Sequence, residues 1–137
     1  RLDEPWDSPT NKALIPLMPK AFANPQASAE PGRTYYKVFV GPGTVFDPKR
    51  PAISLVSITD GTSNTILIAE GGDPVIWTKP DDFVFDPAKP LPNVWLPGKP
   101  GINVTLADGS VQYLPRTTSE KGLKSGILMN DGQPLGP

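Results

Sequence analysis

The chain has 137 residues, a formal net charge of −1, 19 prolines and 13 glycines, and neither cysteine nor histidine. That length fits one domain with a modest core, and the scattered, nearly balanced charge leaves no electrostatic footprint for nucleic acid. Without thiol or imidazole, disulfides, Ser-His-Asp and Cys-His catalysis and the usual zinc sites are excluded within this chain. Carboxylates, Lys, Tyr, hydroxyls and backbone groups remain.

Residues Arg1 to Asp7 read as an extended or turn segment. Asp7 or Ser8 caps a short helix with Pro9 at its first position, where the missing N–H costs nothing. Leu14, Ile15 and Leu17 offer a small apolar face, and Pro16 and Pro19 stop the element. Asn24 to Arg33 is a polar loop. Thr34 to Val40 is a strand by β-propensity, ended by a Gly41-Pro42-Gly43 turn. Asp47 to Pro51 is another loop. Ile53 to Thr59 reads either as a helical turn, with Ser54 as cap and Gly61 just past its end, or as a strand. Asn64 to Glu70 is a buried strand, and Val75-Ile76-Trp77 a short or edge strand.

Lys79 to Pro100 holds six prolines and reads as mostly irregular. The clearest signal follows it. Asp108-Gly109 separates two alternating runs, Ile102 to Ala107 and Ser110 to Leu114, as in a hairpin closed by a two-residue loop. Ile102, Val104 and Leu106 on one run, and Val111 and Tyr113 on the other, are the expected buried faces. Thr117-Thr118-Ser119-Glu120 matches a capping box, opening a helix with Leu123, Ile127 and Leu128 on one side. Asn130-Asp131-Gly132 closes it. No internal repeat is present, and no apolar run reaches the ~18 residues of a membrane span. The chain begins with Arg1 and carries no signal peptide, so it reads as a fragment or processed product whose targeting segment has been lost.

Six strings occur in fixed order: Arg1 to Pro9 with Asn11-Lys12, Met18-Pro19, Val40 to Thr44, Ile58 to Thr65, Trp77 to Pro80, and Leu106 to Val111. In that order they resemble the secreted, pilin-like proteins abundant in planctomycete bacteria, a domain of unknown function with a prepilin-type N-terminus. The resemblance covers nearly the whole chain. It implies an α+β, β-rich fold: an antiparallel sheet with short helices, like a pilin or pseudopilin C-terminal domain lacking the long N-terminal helix. It also implies an extracellular or cell-envelope location. The organisation expected is a single domain over residues 1–137: an N-terminal short helix and loops (1–33), a β-rich body (34–115), and a C-terminal helix and tail (116–137). Two departures stand out. The prepilin helix is missing, so one sheet face needs another cover: the C-terminal helix, the N-terminal segment, a partner or a second copy. Many members also carry a His where this chain has Gly98.

Asp60, Thr62 and Asn64 alternate around Gly61 like the opening of a calcium loop, with Glu70 as a further ligand. The preferred reading is structural, with Asp60, Gly61 and Asn64 building a turn, as Asp108 and Gly109 do in the hairpin. Trp6 and Trp77 read as packing residues; Trp95, among prolines, is the candidate ligand platform for a glycan or peptide. Asp81 and Asp82, with Asp73 and Asp86, could serve a hydrolase only if paired across a cleft, and read instead as solvated surface. Ser119 and Ser125 near Lys121 and Lys124 lack what a Ser-Lys dyad needs, since nothing on an exposed helix face activates a lysine as a base. The expected function is a non-catalytic surface or secreted module for assembly, adhesion or protein interaction, through protein partners or self-assembly, with no nucleic acid. A glycan- or calcium-binding accessory module is the alternative, and a carboxylate-dependent hydrolase is third.

Overall fold

Ser8 opens the first helix: its hydroxyl accepts the Asn11 N–H at 3.1 Å, and Pro9 sits in the first turn of α1, Pro9–Lys12. The structure, a computed structural model, describes residues 1–50 and 52–136. Pro51, the end of the expected Asp47 loop, and Pro137, the end of the tail, lie outside them. After α1 the prolines tighten the chain into 3₁₀ turns at Ile15–Leu17 and Lys20–Phe22. Leu14 and Leu17 are 40% and 68% exposed, so the expected apolar face does not form. Ile15 contributes through its backbone instead, its carbonyl accepting Trp77 Nε1–H at 3.0 Å.

The run expected as one strand over Thr34 to Val40 is split. β1 (Arg33–Lys37) joins a four-stranded antiparallel sheet, while β2 (Phe39–Val40) leaves it. Val38 makes the break: its N–H donates to Asp82 Oδ1 at 3.0 Å and its carbonyl accepts the Phe83 N–H. Conversely, two expected strands merge into β3, Ile66–Ile76. Thr34 pairs with Val75 and Tyr36 with Glu70, so Gly71 to Pro74 bulge out opposite Tyr35. Side chains catch the bulge's freed carbonyls: Lys37 Nζ donates to Asp73 O at 2.9 Å and an Arg33 guanidinium nitrogen to Pro74 O at 3.2 Å. Ile53 to Thr59 contains only a 3₁₀ turn, Leu55–Ser57, which the Ser54 hydroxyl does not cap. Ile58 is buried there, while Leu55 and Val56 are exposed.

In the segment from Lys79 to Pro100, β4 (Phe83–Val84) pairs in parallel with β2 as a separate two-stranded sheet. β5 (Gly101–Leu106) and β6 (Val111–Pro115) form the expected hairpin, giving the main sheet the order β1-β3-β5-β6. Its loop has three residues rather than two. The Gly109 N–H donates to Leu106 O, the Leu106 N–H donates to Ser110 O, and only Gly109 has positive φ, at 84°. This is a type I turn followed by a left-handed glycine, and the extra residue shifts the side chains of β6. Leu114, opposite Ile102, is therefore the buried residue, while Val111 and Tyr113 are 67% and 50% exposed, not core.

α2 spans Glu120–Ile127. Its cap is Ser119, whose hydroxyl accepts the Gly122 N–H at 3.0 Å, two residues beyond the Thr117 of the expected capping box. Leu123 and Ile127 pack with Ile66, Ile102, Val104, Leu106 and Leu114 into the core. The irregular segment supplies the rest: Phe83, Phe85, Val94 and Leu96 are all buried, and the Phe83 ring stacks on Phe39 at 5.0 Å. Two glycines let this segment approach. A Cβ on Gly41 would overlap the Phe85 carbonyl, and one on Gly71 would overlap the Val94 carbonyl. The result is a small mixed α/β domain, rich in β-structure, with short helices. Among the described residues no helix is long and apolar enough to cross a membrane.

Gly71→Ala is expected to cost about 2–4 kcal/mol in urea unfolding, because either the bulge or the Val94 backbone must move. Gly98→Ala, where φ is +67° and no atom of the described residues lies within 4 Å of the new methyl, should cost only about 1 kcal/mol. Equal losses would contradict the close-approach account.

Candidate functional site

The two faces of the main sheet differ. Ala69, Val104 and Leu114 face the core, whereas Tyr36, Ile68, Glu70, Asn103, Thr105, Val111 and Tyr113 share the other face. That outer face holds a cavity of about 230 Å³, lined by Pro25, Tyr36, Ile68, Glu70, Asn103, Thr105 and Val111. Glu70 is buried in it, 5% exposed. Its Oε1 accepts the Asn103 backbone N–H at 2.9 Å and Asn103 Nδ2–H at 2.6 Å; Oε2 accepts Asn24 Nδ2–H at 2.8 Å. The carboxylate thus stands in for a backbone acceptor just where β3 turns into its bulge. Asn24 is itself fixed, its Oδ1 accepting the Gln26 and Ala27 N–H groups. Burial, and then the Glu70 charge, push the Tyr36 phenol above its ordinary value.

Asp60 lies in a different place. Its two carboxylate oxygens accept the Asp131 N–H at 2.7 Å and the Gly132 N–H at 2.9 Å, clipping the tail after α2 to the 60–65 turn. Asn64 Nδ2–H donates to Asp60 O, Thr65 Oγ1–H donates to Gly61 O, and Gly61 has φ +94°. Thr62 offers its carbonyl to the Asp108 N–H at 3.1 Å, joining this turn to the hairpin tip. Asp108 Oδ1 accepts both the N–H and the hydroxyl of Ser110, and these bonds hold its carboxyl below the usual range. A cation at Asp60 would have to displace two backbone N–H groups, and Glu70 is engaged by Asn24 and Asn103 instead. Among the described residues no group of three or more Asp or Glu is placed to hold a metal.

The tryptophans are dispersed. Trp77 packs on Phe22 at 5.6 Å, and Trp6 lies under Lys79 Nζ at 5.8 Å. Trp95 is half-buried against the core, with the Arg116 guanidinium 5.8 Å from its ring centre, so that face of the candidate platform carries a cation. The carboxylates of the acidic stretch serve local bonds. Asp82 holds the Val38 N–H, Asp86 the Ala88 N–H, and Asp81 pairs with Lys79 at 2.7 Å. That pairing lowers the Asp81 pKa, the wrong direction for a general acid. Lys124 Nζ donates to Lys89 O at 2.6 Å and pairs with Glu120, and Ser119 caps α2, so neither is arranged as a Ser-Lys dyad.

Sequence reading gave no role to the buried Lys37. Its Nζ lies 4.1 Å from the Phe83 ring centre and binds Asp73 O. Burial pushes its pKa below the ordinary lysine value, against the pull of Asp73, Asp81 and Asp82. Only the alternation of β1 could have marked it, and Lys at an inward position is commonly read as an edge charge.

Glu70→Ala should cost about 2–4 kcal/mol in chemical denaturation, since it leaves the Asn103 N–H and two amide groups unpaired. A loss under about 0.5 kcal/mol would show those bonds to be replaceable by water. Lys37 has its own signature. With its folded pKa depressed, the unfolded chain binds more protons between the depressed and ordinary lysine values, so stability rises with pH across that window. Urea midpoints of the parent should therefore gain on those of Lys37→Met as the pH rises toward the ordinary lysine value of about 10.4. A constant gap would refute this.

No protein-family model, no curated protein and no solved structure matches this chain.

Proposed function

We propose that this chain is a non-catalytic, pilin-like module of the cell surface or envelope that works by contact, in assembly or adhesion. The carrying observation is the uncovered outer face of the sheet. The other face is closed by α2 and by the segment bearing Phe83 to Leu96. On the outer face Val111 and Tyr113 are exposed and Ile68 and Tyr36 are half-buried; among the described residues the Asn24-Pro25 turn leans over Glu70 and its neighbours. Aromatic and β-branched side chains presented on a rigid sheet suit protein contact better than they suit water. The ordered strings shared with secreted pilin-like proteins support the location, and in such a fold this is the kind of face a long helix or a partner would cover.

Epitope-tagged full-length protein is expected on intact cells of its own host, where added protease removes the tag. Retention in a protease-protected cytoplasmic pool would overturn the surface reading. On those cells a photo-cross-linking residue at Thr105 should form protein adducts, while one at Lys121, exposed on α2, should not. Equal labelling would remove the outer face from the proposal.

A further inference from the structure

We propose that two copies of this chain pair edge to edge through β6, joining their four-stranded sheets about a two-fold axis beside Gln112. The pairing gives the contact-based reading above a specific partner. The sheet has two edges, and they are built differently. At the β1 edge, side chains take the backbone groups: Thr34 Oγ1 accepts the Tyr36 N–H at 3.1 Å and donates to Phe22 O, and Asp82 accepts the Val38 N–H. That edge is blunted.

The β6 edge is not. The Leu106 N–H donates to Ser110 O at 2.8 Å, and the Arg116 N–H donates to Pro100 O at 2.7 Å. These closed pairs mark alternate rungs of the β5–β6 ladder, so Gln112 and Leu114 also turn their backbone groups toward β5. Val111 and Tyr113 turn theirs outward, and among the described residues β6 has no strand on that side; Leu135 and Gly136 of the tail share with it only an open cavity of about 240 Å³. Pro115 has no N–H to offer and ends the usable edge. Val111 to Pro115 carries no charged side chain, so nothing on it repels a strand.

These features select an occupant and a register. When Val111 of one copy faces Tyr113 of the other, both outward N–H groups of each copy are used, which gives four hydrogen bonds. Registers shifted by two residues lose half of them or meet Pro115. The chosen register also sets each valine beside a tyrosine, an aromatic–β-branched cross-strand pair, and covers the exposed side chains at 111 and 113. Gln112 stands opposite its own copy, where two amides can bond each other. Just past the paired residues, Arg116 comes toward the hairpin tip of the second copy, which carries Asp108. Among the described residues Arg116 has no carboxylate partner, only the carbonyls of Leu96 and Lys99. An arbitrary peptide would match the backbone rungs but not this reciprocal set of side chains.

Sedimentation of the 137-residue chain tests the pairing. The parent should move from monomer toward dimer between about 10 µM and 1 mM, as expected for a small interface. Gln112→Lys and Gln112→Glu place like charges directly opposite each other and should each weaken association at least about tenfold; an equimolar mixture of the two should restore it. Because the chain has no cysteine, Gln112→Cys supplies one thiol per copy and should give a disulfide-linked dimer on mild oxidation, whereas Thr117→Cys should not. A parent that stays monomeric to about 1 mM, a dimer indifferent to Gln112, or charge variants that fail to rescue each other would overturn the pairing. A monomer displayed on the cell surface would sink the pairing and leave the surface reading intact; a dimer confined to the cytoplasm would do the reverse.

Discussion

Much of the core is delivered by a segment with almost no regular structure, and that segment makes two very close backbone approaches at positions that lack side chains. Gly41 and Gly71 are those places: the Phe85 and Val94 carbonyls occupy the volume a Cβ would fill. With the backbone this close, Phe83, Phe85, Val94 and Leu96 can bury themselves against β3 and β5 and do the work a second helix would do in a layered α/β domain. The prolines reduce the entropy lost in ordering such a long loop, because each restricts the unfolded chain as well. α2 completes the layer with Leu123 and Ile127 as its buried apolar side chains.

The same constraint accounts for the polar interior. β3 must open into a bulge to pass under the Val94 carbonyl, and a bulge frees backbone groups. Lys37 and Arg33 take two of the carbonyls, while Glu70 supplies the acceptor that the Asn103 N–H loses. Polar side chains are costly to bury unless hydrogen-bonded, and here each takes the place of a ladder partner. Glu70 and Lys37 lie on opposite faces of the sheet, so they do not neutralise one another directly.

Covering one face with loop and helix leaves the other with little over it. The outer face and the β6 edge meet at Val111 and Tyr113, which the hairpin's extra loop residue turns away from the core. One local feature, the left-handed Gly109 after a type I turn, therefore decides whether the edge strand is a core element or a presenting one. The β1 edge shows the contrast, since side chains bond its backbone and leave little for a second strand.

Local chemistry was legible in the sequence. Pro9 after Ser8, the Asp60-Gly61 and Asp108-Gly109 turns, the alternation of Ile102, Val104 and Leu106, and the Leu123–Ile127 helix follow from rules that act within a few residues. The antiparallel, β-rich character followed from them too. What spans distance was not legible. Glu70 and Asn103 lie 33 residues apart, and Asp60 and Gly132 lie 72 apart, with no periodicity connecting either pair. The proline-rich segment offered no pattern that would mark Phe85 or Leu96 as core, because its residues are buried singly by tertiary approach and not as a face. The sequence by itself determined where the chain turns and which runs alternate. Tertiary structure alone decided which face those runs present, since one extra residue in a loop reverses a strand's sides and only packing against the rest of the fold chooses between them.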